Sequence, residues 1–192
     1  MTDRSDEDNT DIDMIVDTKI DEAIRKIPDF PKPGILFFDL TSILTNHDVF
    51  AHVVDKMVEM YRDVPIDAVA AIEARGFLFA SPFAYRRGVP LILLRKKGKL
   101  PGKTISREFD LEYGTDTIEV HTDDVVPGSR VLVIDDLIAT GGTVSAACSL
   151  IDDAGANVCG VFSVVALPFL DFSSRLPGRE IRYLQEYVTE VL

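Results

Sequence analysis

The sequence predicts an α/β protein with a central, mainly parallel sheet flanked by helices. Three features carry that expectation. Its apolar, β-branched runs are too continuous for half-exposed strands, they alternate with helical segments, and one of them leads into two adjacent carboxylates and a glycine turn. Strands buried on both faces read as unbroken apolar runs, and strand–helix alternation builds βαβ units.

The elements follow in chain order. Residues 1–17 are rich in Asp and poor in aromatics, the composition of a solvated tail, and residues 18–192 are expected to form one domain. A helix is expected over Thr18 to Lys26 and a short strand over Ile35 to Asp39. A second helix should start near Asp48, with Phe50, Val53, Val54, Met57, Val58 and Tyr61 at core-face spacing. Ile66 to Ile72 reads as a buried strand and Gly76 to Arg87 as its crossover helix. Further strands are expected at Pro90 to Leu94, Val131 to Ile134 and Val158 to Ala166. Residues 98–120 carry Gly, Pro, Thr, Ser and charges, with Thr117 to Val120 alternating as a short strand, and are expected to form a hairpin-like lid.

The run from Val131 to Thr143, VLVIDDLIATGGT, is the most informative. Its apolar start predicts a central strand, and Asp135 and Asp136 are expected at its carboxyl edge, where ligands bind in open α/β sheets. Ala139-Thr140-Gly141-Gly142-Thr143 then supplies glycines that permit positive φ and close backbone approach, so that N–H groups can converge on a phosphate. The helix that follows, ending near Gly155, would point its positive end at the same anion. The loop lacks the Lys of GxxxxGK[ST] and does not follow GxGxxG, which argues against nucleoside triphosphates and dinucleotides. A ribose 5-phosphate group fits: two carboxylates for vicinal hydroxyls, and a glycine turn for the phosphate.

This segment resembles the phosphoribosyl-pyrophosphate signature of type I phosphoribosyltransferases. Four further stretches resemble the adenine phosphoribosyltransferases, in that family's order: Ile27 to Phe37 (IPDFPKPGILF), Glu73 to Phe79 (EARGFLF), Arg95 to Gly102 (RKKGKLPG) and Leu111 to Gly114 (LEYG). The resemblance covers roughly residues 25–165 and implies the type I phosphoribosyltransferase fold, with a small hood formed by about residues 20–39 plus 179–192.

The resemblance further implies transfer of phosphoribosyl from 5-phosphoribosyl 1-pyrophosphate (PRPP) to adenine, giving AMP and pyrophosphate in purine salvage. Asp135 and Asp136 would hold the ribose hydroxyls and stabilise positive charge on the ring. Ala139, Thr140, Gly141, Gly142 and Thr143 would grip the 5-phosphate. Arg75, Lys99 and Lys96 would neutralise the pyrophosphate. Glu112, beside Tyr113 in the lid, would manage the proton on the base. Phe37 would stack on the purine, Leu36 would offer backbone groups to its edge, and Ile138 or Ala139 would form the opposite wall. Mg²⁺ would bind through substrate oxygens and water, with no direct protein ligands. A homodimer is implied as well.

One position departs from the family pattern, which commonly has Arg-Asp after the Phe where this chain has Phe38-Asp39. Two other readings therefore stay open. A transferase acting on 6-oxopurines would need a donor to the base O6, and a nucleotide-sensing regulator would bind nucleic acid.

Composition bears on the second of these. The chain has 32 acidic and 20 basic residues, a formal net charge of −12 that repels nucleic acid and anionic membranes and leaves a phosphate site dependent on locally placed cations. Arg95, Lys96, Lys97 and Lys99 form one such cluster, and Arg75 stands in an apolar segment. Two cysteines without CxxC or Cys/His spacing suggest free thiols in a reducing compartment. With no run of about 20 apolar residues and no basic-then-apolar N-terminus, a cytoplasmic location is expected.

Overall fold

The computed structural model describes residues 16–110 and 114–189. Helix α1 (Thr18–Ala23) starts at Asp17, whose carboxylate accepts the N–H groups of Lys19 and Ile20. It ends earlier than Lys26, because Arg25–Ile27 forms strand β1, paired antiparallel with β2 (Phe37–Asp39) and fastened by a 2.8 Å Arg25–Asp39 ion pair. Tertiary pairing overrides local helix preference there.

Helices α2 (Thr41–Leu44) and α3 (His47–Met60) follow; α3 buries Val53, Val54 and Met57 of the predicted stripe and Val49 besides, while Phe50 and Val58 are half-buried. Strand β3 (Ala68–Ile72) is buried throughout. Helix α4 (Gly76–Arg87) matches its expected bounds and ends at Gly88, whose φ of 66° permits the left-handed turn. Next come β4 (Leu91–Lys96) and a hairpin of β5 (Thr104–Asp110) and β6 (Thr115–His121), in which β6 extends the short strand expected over Thr117 to Val120 and β5 is the partner the sequence did not name. The chain continues with β7 (Arg130–Ile138), α5 (Gly142–Asp153), β8 (Asn157–Ala166) and β9 (Ile181–Glu186).

The main sheet has the order β5-β6-β4-β3-β7-β8-β9. The five strands from β4 to β9 in that order are parallel, and the hairpin joins antiparallel through Arg95↔Glu119 and Lys96↔Ile118. Strand β7 is thus the middle of the parallel block. Its Leu132 and Ile134 pack with Phe79, Phe83 and Phe162 under α3 and α4, while Val131 and Val133 pack with Val144, Ala147 and Ile151 of α5.

Three further expectations need correction. Strand β7 does not stop at Ile134; it carries both carboxylates and ends at Ile138, because β8 stays paired with it as far as Ile138↔Ala166. The C-terminal segment grouped with the hood mostly belongs to the main sheet, since Ile181–Glu186 is its edge strand beside β8. Among the described residues after it, Tyr187 returns to the hood and packs on Phe38. The tail also ends sooner than Asp17, which caps α1, pairs with His52 at 2.8 Å and donates its N–H to Gln185.

Phe162 is fully buried and meets Tyr61 edge-on at a centroid distance of 6.1 Å. Phe162→Ala is expected to cost about 3–5 kcal/mol, checked as a lowered urea midpoint at unchanged slope.

Candidate active site

The cleft is built where the strands end. Strand β3 pairs with β7 only as far as Ala71↔Ile134. From Asp135 onward one edge of β7 is therefore open, and a cleft of about 350 Å³ occupies the opening. Asp135, Asp136 and the stretch from Leu137 to Val144 line it from below, Glu73 to Arg75 from the β3 end, and Lys96, Phe109 and Asp116 from β4 and the hairpin.

The carboxylates lie side by side with little solvent. Asp136 Oδ2 is 2.7 Å from Arg75 Nε, with side-chain exposures of 4% for Asp136 and 40% for Arg75. That contact is an ion pair without hydrogen-bond alignment, so the buried Oδ2 carries no hydrogen bond. Asp135 Oδ1 accepts the N–H of Asp136 at 2.8 Å. Burial raises the pKa of both groups; the Asp136 charge adds to the rise at Asp135, while Arg75 opposes it at Asp136. Gly76 lets the start of α4 approach β7 closely at this point, since a Cβ there would lie 3.0 Å from Ile134 O and 3.1 Å from Asp135 Oδ1.

The turn before α5 has the form of an anion cradle. Gly141 sits at φ 79° as the residue preceding the helix, and no side chain caps the first turn. A Cβ at Gly141 would meet Phe172 Cβ and O at 3.0 Å, so packing as well as conformation requires glycine. The uncapped N–H groups and the helix dipole favour a phosphate.

The two cationic loops are tied to each other. Glu73 accepts Arg95 Nε at 3.3 Å, Arg95 Nη2 at 3.2 Å and the Lys96 N–H at 2.8 Å; these bonds, Arg95 first, hold its pKa below the usual value. Buried Glu119 accepts the N–H groups of Lys99 and Leu100 at 3.1 and 3.0 Å. Lys96 reaches over the cleft to Asp116 at 3.0 Å.

The cleft therefore collects Asp135, Asp136, Ala139, Thr140, Gly141, Gly142, Thr143, Ile138, Arg75 and Lys96. Lys99 is not in its lining; its backbone is bound to Glu119. Nor does the lining include Leu36 and Phe37. Phe37 makes an edge contact with Phe30 at 5.0 Å, and Leu36 borders a second cavity with Phe38 and Tyr187. The hood is nonetheless close, because Asp39 of β2 feels the charge of Arg75. Glu112 and Tyr113 lie outside the described residues.

Sequence reasoning missed Asp116 and Phe109, which hairpin pairing brings to the cleft, and it missed the role of Glu73 as a tie. The Glu-Ala-Arg-Gly stretch held the only signal for the latter.

Carboxylates for vicinal hydroxyls, a glycine turn for a phosphate and separate cations for a second anion define a phosphoribosyl-handling protein. A family model described as "Phosphoribosyl transferase domain" matches residues 39–169. An adenine phosphoribosyltransferase of Treponema denticola is 59% identical over 92% of this chain and 93% of its own. The crystal structure of the Thermoanaerobacter pseudethanolicus adenine phosphoribosyltransferase superposes with a TM-score of 0.85 at 44% identity, covering 88% of this chain and 98% of that one. The Trypanosoma brucei enzyme, solved with AMP, pyrophosphate and ribose-5-phosphate, gives 0.81 at 27% identity, covering 88% and 78%. The chain belongs to the adenine phosphoribosyltransferase family.

The raised Asp135 pKa fixes the sign of a pH effect. The unfolded carboxylate titrates near 3.8 and the folded one well above it. The folded state thus holds the extra proton in between, and its stability falls as pH rises through that window. Asp135→Asn should raise the melting temperature of the ligand-free protein at about pH 8 and flatten its pH dependence, as read by thermal unfolding across the window.

Proposed function

We propose that this protein transfers the phosphoribosyl group of PRPP to N9 of adenine, forming AMP and releasing pyrophosphate. The observation that carries the reading is the meeting, in one cleft, of the Asp135-Asp136 pair, the uncapped glycine turn and the cations Arg75 and Lys96.

The C1–pyrophosphate bond breaks and the N9–C1 bond forms, and positive charge develops on the ribose between the two events. Asp135 and Asp136 accept hydrogen bonds from the ribose hydroxyls and stabilise that charge in a site with little solvent. Thr140 to Thr143 hold the 5-phosphate through backbone N–H groups. Arg75 and Lys96 take the leaving pyrophosphate, and Lys99 joins them from its loop. The purine lies between Ile138-Ala139 and the hood at Phe37, with Leu36 along its edge. Glu112 takes the proton that N9 gives up, and the lid with Tyr113 keeps water from the sugar cation.

No group of three or more His, Cys, Asp or Glu among the described residues is arranged to hold a metal. The donor set suits Mg²⁺ carried on PRPP, whose charge it would neutralise when bound. A 6-oxopurine acceptor is disfavoured, because Phe38 offers no donor and its ring is packed away against Tyr187. No described helix is long and apolar enough to cross a membrane.

A homodimer fits the surface of α4, which exposes Leu78 (44%) and Tyr85 (86%) on one face, two turns apart. Tyr85→Asp should shift the protein toward monomer in sedimentation experiments.

The function is tested by offering adenine, hypoxanthine, guanine and xanthine separately with PRPP and Mg²⁺. AMP from adenine alone is expected, with Glu112→Gln slowing turnover by about 10²-fold or more. Nucleotide from a 6-oxopurine would overturn the acceptor, and nucleotide binding without turnover would favour a regulator.

A further inference from the structure

Phe38 stands where the family pattern commonly has Arg, and the structure gives its ring a partner. It is buried and stacks on Tyr187 with centroids 4.0 Å apart and an interplanar angle of 15°. Tyr187 follows β9 directly, and two hydrogen bonds and a cation contact fix it. Its phenol donates to Asp21 Oδ1 at 2.6 Å; Asp21 also takes Lys26 at 2.8 Å, and the Lys26 ammonium lies 5.4 Å from the centre of the Tyr187 ring. The Tyr187 N–H donates to Ala166 O at 3.1 Å. Ala166 is the register partner of Ile138, and Leu167 N–H donates to Ile138 O at 2.9 Å.

A short, stiff path therefore joins the two walls assigned to the purine. It runs from Ile138 through Ala166-Leu167 to Tyr187, across the stacked rings to Phe38, and along one peptide bond to Phe37.

We propose that Phe38 and Tyr187 are positioning residues for the base, their stacked pair holding the hood strand at a set distance from Ile138 and Ala139. This rests on the reading of the cleft as an adenine site. The physical need is specific, because a gap of about 0.5–1 Å between a planar base and its wall forfeits a quarter to a half of the dispersion attraction. An Arg at position 38 could fasten the hood by charge; here an aromatic pair does so, and the path bypasses Asp135, the glycine turn and Arg75. Loss of the pair should weaken adenine without touching PRPP.

The test compares Tyr187→Leu, Phe38→Leu and the conservative Tyr187→Phe with the parent protein. The first two should raise the KM for adenine about fivefold or more, leaving kcat and the KM for PRPP within about twofold. Tyr187→Phe keeps the ring and should stay close to the parent. In parallel, amide exchange of Phe37 and Phe38 should speed up about tenfold or more in Tyr187→Leu, with Val133 and Ile134 of β7 unchanged. An unchanged adenine KM in both Leu variants, or kcat and both KM values worsening together, would overturn the proposal. If the parent protein turns over no adenine, the functional reading fails by itself; the exchange experiment still decides whether Tyr187 holds the hood strand, and unchanged exchange sinks that role.

Discussion

Everything at this site depends on two carboxylates being held next to each other where one edge of the central strand is open. Folding alone disfavours that arrangement, since burial and mutual repulsion both oppose ionisation of Asp135. A single ion pair from Arg75 partly offsets the cost at Asp136. What secures the pair is the sheet itself. Strand β7 is the middle of five parallel strands, with apolar layers on both faces, and continued pairing with β8 carries the chain through Asp135 and Asp136. The strain is local, and the support comes from the whole fold.

The cations are arranged by a different logic. Arg75 and Lys96 come from separate strand ends, and a mobile loop could place either one badly. Glu73 prevents this by accepting from Arg95 and the Lys96 backbone at once, and Glu119 fixes the following turn through the Lys99 and Leu100 N–H groups. In a chain of net charge −12, buried or half-buried acids thus serve to hold the few cations that face the cleft. Preorganised charge is worth more than flexible charge, because no reorganisation is left to be done when the leaving group departs.

Much of this was legible in the sequence wherever local pattern and tertiary role agree. The apolar runs of β3, β7 and β8 and the helix bounds of α4 can be read directly, because burial on both faces and a glycine stop leave local marks. The Asp-Asp and Thr-Gly-Gly-Thr stretches name their own chemistry. What could not be read is pairing across distance. Strand β1 sits in what looks like a continuing helix, β9 in what looks like part of the hood, and Asp116 reaches the cleft only through the register of β5 and β6. The end of β7 was misplaced for a related reason: charged residues usually end strands, whereas here β8 keeps the ladder going past them.

The separation of tasks within the fold has a consequence for how such a protein can change its acceptor. In the proposed mechanism the sugar and phosphate groups fall to β7, the ends of β3 and β4, and α5 packed against that sheet. The same proposal leaves the base to the hood, a two-stranded piece attached through α1, the ion pair of Asp21 with Lys26, and the Phe38–Tyr187 stack. A substitution in the hood can alter the fit to a purine without disturbing the carboxylates, because among the described residues the hydrogen bonds and ion pairs of β2 run to β1 and the start of α2 and none reaches Asp135 or Asp136. Coupling runs instead through Arg75, whose charge is felt by Asp39 on one side and by Asp136 on the other. Position 38 adjoins Asp39 in the chain, yet the aromatic ring there stacks on Tyr187 and adds no charge to that link. It leaves Arg75 as the cation that Asp136 answers to, and it hands the mechanical work of holding the hood to apolar contact.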